Sequence, residues 1–147
     1  MNLEKALNSF YYSTALCELK LMNNDFEDNK ITYNSLLYLD LIFNMNGKCT
    51  ASKIAKLLYV SKPAVTLKIN KLIKSGLVRK EQNPKDARQN LLFVNEEAVP
   101  MFKIYRKQDK EAISKICNNY SKEDIDKFCE MLNIISEINF KETENQK

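Results

Sequence analysis

Two short helical patterns, each opened by its own capping hydroxyl, lie two residues apart near the middle of this chain, and their spacing dictates a helix-turn-helix. Thr50 is placed to cap a helix from Ala51 to about Leu58, with Ile54, Ala55 and Leu58 turned inward. Tyr59 and Val60 make the connection. Ser61 caps the next helix, Pro63 falls in its first turn, where a missing amide costs nothing, and Gly76 stops it after Ser75. At about 100° per residue, Val65, Ile69, Leu72 and Ile73 share an inward arc, while Pro63, Ala64, Leu67, Asn70, Lys71 and Lys74 take the opposite one. After Gly76, the stretches from Leu77 to about Gln82 and from Asn90 to Val94 read as strands. They are joined by Asn83-Pro84-Lys85-Asp86-Ala87-Arg88-Gln89 into a hairpin with a polar, basic tip.

The flanks read as helical too. From Leu3 to about Met22, Leu3, Leu7, Phe10, Thr14, Cys17 and Leu21 follow helical spacing, and Tyr11, Leu16 and Leu19 make further faces apolar, so this helix is buried or bound to a partner. The polar run Asn23 to Lys30 reads as a loop. Thr32 caps a second helix to roughly Asn46, with Leu36, Leu37, Leu39, Ile42 and Phe43 as its core and Gly47 as its end. Asn95 is expected to cap a fifth helix with Glu96 and Glu97 in its first turn and Ala98, Phe102, Tyr105, Ala112, Ile113 and Ile116 as its stripe. Ser121 with Asp124 resembles a capping box that opens a last helix built on Ile125, Phe128, Cys129, Leu132 and Ile135, and the tail from Lys141 to Lys147 is expected to fray.

The expected fold is mainly α, an α+β winged helix-turn-helix with about six helices and a two-stranded β-wing, in a single domain over 1–147. Two glycines and three prolines are too few for the frequent turns of a sandwich or barrel. A 44% hydrophobic and 29% charged composition belongs to a chain that folds. No apolar run approaches the roughly 18 residues of a membrane span, and the beginning Met1-Asn2-Leu3-Glu4-Lys5 is not a secretory leader. Cys17, Cys49, Cys117 and Cys129 are scattered, which suggests neither a zinc ribbon nor a disulfide scaffold and fits a reducing cytoplasm.

Charge is distributed unevenly. Between Lys48 and Arg88 stand eleven Lys/Arg against Glu81 and Asp86, a local net charge of +9; the rest of the chain has twelve basic and seventeen acidic residues, a net of −5, and together they give the +4 of the whole. Clustered cations suit a polyanion, because near phosphates they displace condensed counterions, although a solvated basic face has the same composition. A helix-turn-helix followed at once by a basic hairpin can lay its second helix in a major groove and reach a neighbouring minor groove or backbone with the hairpin. In that arrangement Ser61 and the first amides of the second helix bind phosphate, and Lys62, Lys71 and Lys74 add charge. Thr66, Leu67 and Asn70 are the candidates for base edges, Asn suiting adenine and Leu a thymine methyl.

Three runs, Thr50-Ala51-Ser52-Lys53-Ile54-Ala55-Lys56-Leu57-Leu58, Val60-Ser61-Lys62-Pro63-Ala64-Val65-Thr66 and Leu72-Ile73-Lys74-Ser75-Gly76-Leu77-Val78, resemble the multiple-antibiotic-resistance regulator (MarR) family. Asn83-Pro84-Lys85-Asp86-Ala87-Arg88 is similar to that family's wing-tip pattern Pro-x-Asp-x-Arg, and Asn95-Glu96-Glu97-Ala98 to its usual Thr-Glu-x-Gly before the fifth helix. The resemblance implies a homodimeric regulator of transcription, a repressor released by a small ligand or other signal, bound to a pseudo-palindromic duplex. It implies a reading lobe over 47–95, dimerisation through helices in 1–30 and 96–141, Arg88 in the minor groove, and Asp86 fixing the wing tip. The DNA-facing set is then Ser52, Ser61, Lys62, Pro63, Thr66, Leu67, Asn70, Lys71, Lys74, Lys85, Asp86 and Arg88. The chain departs from the family at Leu67, where Arg is frequent, and at Tyr59, where Gly or Asn is common; a left-handed backbone at Tyr59 would cost about 1–2 kcal/mol.

Other readings remain open on sequence alone. Arg88, Asn70 and Lys71 also read as solvated surface residues, and the winged helix as a protein–protein module, although interface cores are usually depleted in charge. Cys17, Cys117 and Cys129 read as core thiols and Cys49 as a connector residue, against a thiol-based redox sensor that needs a depressed pKa. Tyr11, Tyr12, Tyr33 and Tyr38 read as core or as the lining of an aromatic ligand pocket for an unidentified effector. With no histidine, no Gly-rich phosphate loop and no interpretable carboxylate pair, no catalytic residue, metal site or cofactor is expected.

Overall fold

The structure is a computed structural model that describes residues 2–25 and 31–144. In chain order it contains α1 (Leu3–Asp25), α2 (Tyr33–Asn44), α3 (Ala51–Leu58), α4 (Lys62–Lys74), β1 (Val78–Gln82), β2 (Asn90–Val94), a 3-10 turn (Glu96–Ala98), α5 (Pro100–Asn119) and α6 (Lys122–Glu144). This is the mainly α winged helix expected from the pattern. The chain divides into two compact units, Met1–Lys103 and Ile104–Lys147.

In the first unit α2 packs on β2, α3 on α4, and α4 on β1. Leu36, Leu39 and Ile42 of α2, Ile54 of α3, Val65, Ile69 and Leu72 of α4, and Val78, Leu92 and Val94 of the hairpin are buried together with Val99 and Phe102. The strands pair antiparallel from Val78↔Val94 to Gln82↔Asn90. The Leu92 amide also donates to the Cys49 carbonyl at 2.9 Å, so the stretch before α3 lies along the second edge of β2.

The caps are where the hydroxyls predict them. Thr32 accepts from the Ser35 amide at 3.2 Å, Thr50 from Lys53 at 3.2 Å and Ser61 from Ala64 at 3.3 Å. Tyr59 ends α3 in the left-handed region (φ 54°, ψ 39°), and the Val60 amide donates back to the Ala55 carbonyl at 3.1 Å. A glycine usually takes that place; the tyrosine holds it at a cost of about 1–2 kcal/mol, offset by the hydrogen bonds that close the helix end.

Several expectations are corrected. Helix α1 runs to Asp25, so residues 23–25 are helical, while the rest of the expected loop, 26–30, lies outside the described residues. Helix α2 stops at Asn44, and Leu37, Phe43 and Leu58, expected in the core, are exposed, although Phe43 keeps a ring contact with Phe102 at 5.1 Å and lines a hollow beside Leu92 and Phe93 of the hairpin. Asn95 does not cap a fifth helix: its side-chain amide donates to the Gly76 carbonyl at 2.6 Å, tying the end of the hairpin to its start. The α-helix begins only at Pro100, since a proline has no amide to give the carbonyl four residues earlier and cannot sit inside a helix that started at Glu96. At the other end α6 continues to Glu144, so residues 141–144 are helical and only 145–147 fall outside the description.

In the second unit Ser121 caps α6 by accepting from the Asp124 amide at 3.2 Å, and its hydroxyl donates to the Asp124 carboxylate at 2.6 Å. Ile116, Tyr120, Ile125 and Phe128 line a hollow here. Met131, Leu132, Ile134 and Ile138 are exposed along α6, as are Leu3, Phe10, Tyr12 and Leu19 on α1. One chain alone leaves these apolar faces uncovered.

Asp40 of α2 is half-buried, and burial first, then the Glu18 carboxylate of α1, pushes its pKa from 3.8 up to about 6. A raised carboxyl pKa means the folded state takes up a proton before the unfolded one, so ionised Asp40 weakens the fold above pH 6 and ceases to do so below about 4. Asp40→Asn is therefore expected to stabilise the protein by on the order of 1 kcal/mol at pH 7–8, after allowance for solvent screening. The advantage should shrink as pH falls through 6 and vanish near 4 in paired urea titrations; a gain that persists at pH 4 would refute the assignment.

Candidate nucleic-acid interface

Burying Val65, Ile69 and Leu72 turns the opposite side of α4 outward. Lys62, Pro63, Leu67, Asn70, Lys71 and Lys74 are exposed and Thr66 is half-buried, while the Ser61 hydroxyl at the helix start is engaged as its cap. Leu67 is an apolar side chain left 60% exposed.

A groove runs between the start of α3, the outward side of α4 and the hairpin, lined among others by Ser52, Lys62, Thr66, Asn70, Lys80 and Arg88. None of the described residues lining it is acidic. The fold thus brings five members of the sequence-derived set into one concavity; Ser61, Pro63, Leu67, Lys71 and Lys74 stand along the adjoining face of α4, and Lys85 and Asp86 at the hairpin tip. Lys80 escaped the sequence reading. Its ammonium donates to Asn70 Oδ1 at 3.5 Å, so a strand residue steadies a side chain on the outward side of α4. The strand alternation that buries Val78 would have indicated which face Lys80 takes, but not that α4 lies there.

At the tip, Asp86 organises the turn. One carboxylate oxygen accepts from the Arg88 amide at 3.1 Å and Arg88 Nε at 3.0 Å, the other from Arg88 Nη2 at 3.4 Å and Gln89 Nε2 at 2.9 Å. The Arg88 side chain is nevertheless 90% exposed, held out from the ribbon by a partner that fixes its direction. The bonds from Arg88 keep the Asp86 carboxyl below the usual carboxylate range, so this arrangement is present above the ordinary carboxylate pKa and is lost only as pH falls through the depressed one.

The thiols are placed otherwise than expected. Cys49 is fully buried, and burial pushes its pKa up to about 11, which removes the thiolate a redox sensor needs. Cys117 and Cys129, expected in the core, are exposed, and Cys17 is half-buried. Tyr11, Tyr12 and Tyr33 are exposed too, which overturns the core reading for all three. Among the described residues no group of three or more metal-ligating side chains occurs, and no helix is long and apolar enough to cross a membrane.

Tightly joined α3 and α4, followed by a two-stranded wing that packs against α4 and carries an arginine at its tip, define a winged helix-turn-helix protein. Residues 31–89, which span both helices and reach the wing tip, match the model of the MarR family. Among solved structures the chain is similar to FabT from Streptococcus pneumoniae in complex with DNA, at 21% identity and a TM-score of 0.60 over 99% of this chain and 97% of that one. It is also similar to the adhesin competence repressor AdcR from Streptococcus pyogenes, at 21% identity and a TM-score of 0.57 over 95% and 99%. A third neighbour is a MarR-family transcriptional regulator from Listeria monocytogenes complexed with 26mer DNA, at 16% identity and a TM-score of 0.53 over 100% and 97%. At such identities the likeness establishes the fold. Comparison with curated proteins returned no match.

Proposed function

We propose that this protein is a sequence-specific transcriptional regulator that binds double-stranded DNA as a homodimer. The observation that carries the reading is the groove in which the outward side of α4 meets Lys80 and Arg88 of the hairpin, with no acidic side chain among the described residues that line it. A helix of this kind fits a major groove, and an exposed arginine on a narrow ribbon fits the more negative potential of an adjacent minor groove. The match of residues 31–89 to the MarR family model supports it, as do the DNA-bound states of two of the similar structures.

In this reading Lys62, Lys71, Lys74 and Lys85 meet phosphates with Ser52 and Ser61, Pro63 packs on the backbone, and Thr66, Leu67 and Asn70 face base edges. Asp86 orients Arg88. The lobe over 47–95 reads the duplex, and helices within 1–30 and 96–141 cover their exposed apolar faces against a second copy, setting two half-sites about one helical turn apart. The protein acts in the cytoplasm as a repressor released by a small ligand or other signal, without catalysis of its own.

Selection of bound fragments from random duplexes, followed by titration across salt, tests this. The expected result is a pseudo-palindromic site and a log–log salt slope steeper than about −4, since each neutralised phosphate contributes about −0.9. A flat response, or a protein that stays monomeric at micromolar concentration and retains no duplex, would overturn it.

A further inference from the structure

Lys68 belongs to the basic segment by sequence, yet the fold removes it from the reading face. It lies three residues after Val65 and four before Leu72, at the edge of the inward arc of α4, and is half-buried where Lys62, Lys71 and Lys74 are exposed. Its ammonium donates to Ser35 Oγ at 2.9 Å and stands 5.6 Å from the centroid of the Tyr38 ring. Both partners are on α2, a helix that packs on β2 while α4 packs on α3 and β1.

The contact continues into the end of α2. Having accepted from Lys68, the Ser35 hydroxyl has its own proton for Thr32 Oγ1 at 3.0 Å, and Thr32 is the cap that accepts from the Ser35 amide at 3.2 Å. Lys68 is thus bonded to the residues that start α2. A helix N-terminus carries partial positive charge, so a cation is poorly placed there and must be retained by its hydrogen bond and by the ring beside it. Burial first, then the neighbouring Lys71, lower the pKa of Lys68.

We propose that Lys68 is a positioning residue for the reading helix: it fastens α4 to the first turn of α2 and sets the angle at which α4 is presented, and it does not meet DNA itself. Movement at the start of α2 is therefore transmitted to the outward face of α4. This inference rests on the DNA-binding reading above. A solvated lysine whose stem merely covers Tyr38 would leave DNA binding unchanged, and a phosphate ligand would carry salt dependence; a strap does neither.

The test measures binding to a selected duplex across salt for the full chain and for Lys68→Met, Lys68→Arg, Ser35→Ala, the double variant Lys68→Met/Ser35→Ala, and Lys71→Met. Lys68→Met is expected to weaken binding about tenfold, the scale of residues that couple to a ligand without touching it. Its salt slope should equal that of the unaltered chain, whereas Lys71→Met should make the slope shallower by about 0.9 per lost contact. Ser35→Ala should weaken binding several-fold, the double variant no further than Lys68→Met alone, and Lys68→Arg should restore most of the affinity. Thermal unfolding of each variant, with titration of its active fraction, separates lost positioning from lost fold. A slope change in Lys68→Met like that of Lys71→Met, unchanged affinity, or additive losses in the double variant would overturn the proposal while DNA binding stands. Failure of the unaltered chain to bind any duplex would sink the DNA-binding reading, and this inference with it.

Discussion

Arg88→Ala is expected to weaken binding to the selected duplex by about tenfold to a hundredfold and to relax preference at the positions under the wing, with no loss of thermal stability. The size follows from what one well-placed base-edge or groove contact contributes, about 1–3 kcal/mol. Fold stability should be untouched because the side chain is 90% exposed and its bonds are to the neighbouring Asp86 alone among described partners. Asp86→Asn should produce a smaller loss in the same direction, since it leaves the arginine in place but weakens the bonds that aim it. Arg79 provides the contrast. Its guanidinium is taken up by Glu81 at 3.0 Å, the Val94 carbonyl at 3.3 Å and the Phe93 ring at 4.9 Å, so Arg79→Ala should lower stability and leave the salt slope of binding alone. Electrophoretic or fluorescence titration of the three variants over a salt series decides the matter; equal affinity for Arg88→Ala and the unaltered chain would remove the wing from the binding surface.

The largest effect on stability is expected at Leu39. It is completely buried on the side of α2 that faces the core, where Leu39→Ala removes three methyl or methylene groups' worth of packing and leaves a cavity, for a cost of about 2–5 kcal/mol. Leu37, two residues away, is nearly half exposed, and Leu37→Ala should cost about 1 kcal/mol or less. Urea titration with an unchanged slope and a midpoint that falls far more for Leu39 than for Leu37 is the expected outcome. Equal losses at the two positions would mean that α2 is buried on both sides, contrary to the packing described.

The bounds of α3 and α4 are legible in the sequence to within a residue, together with their caps and the two-residue connection, because those features are written in interactions spanning four residues or fewer. Thr50 and Ser61 bond to amides three positions on, and Val65, Ile69 and Leu72 repeat at the helical period. The same reading misplaced the start of α5. It took Asn95 for a cap from its type and its acidic followers, while the tertiary structure commits that side chain to the Gly76 carbonyl nineteen residues earlier. It assigned Leu37, Phe43 and Leu58 to the core because an apolar residue near a buried arc looks the same as one within it until the opposing element is known. Exposed Cys117 and Cys129, and exposed Tyr11, Tyr12 and Tyr33, are errors of the same kind, in helices whose apolar positions outnumber what the chain itself covers.

From the sequence alone came the element order, the helix-turn-helix with its basic wing, and twelve candidate side chains for meeting a duplex, since periodicity, capping and local charge are properties of neighbours along the chain. Only the folded molecule decided how the cations are aimed. It turned Lys68 inward to Ser35, brought Lys80 beside Asn70, and left Arg88 extended from the tip, because the direction of a long side chain is set by hydrogen-bond partners on elements that are distant in sequence and adjacent in space.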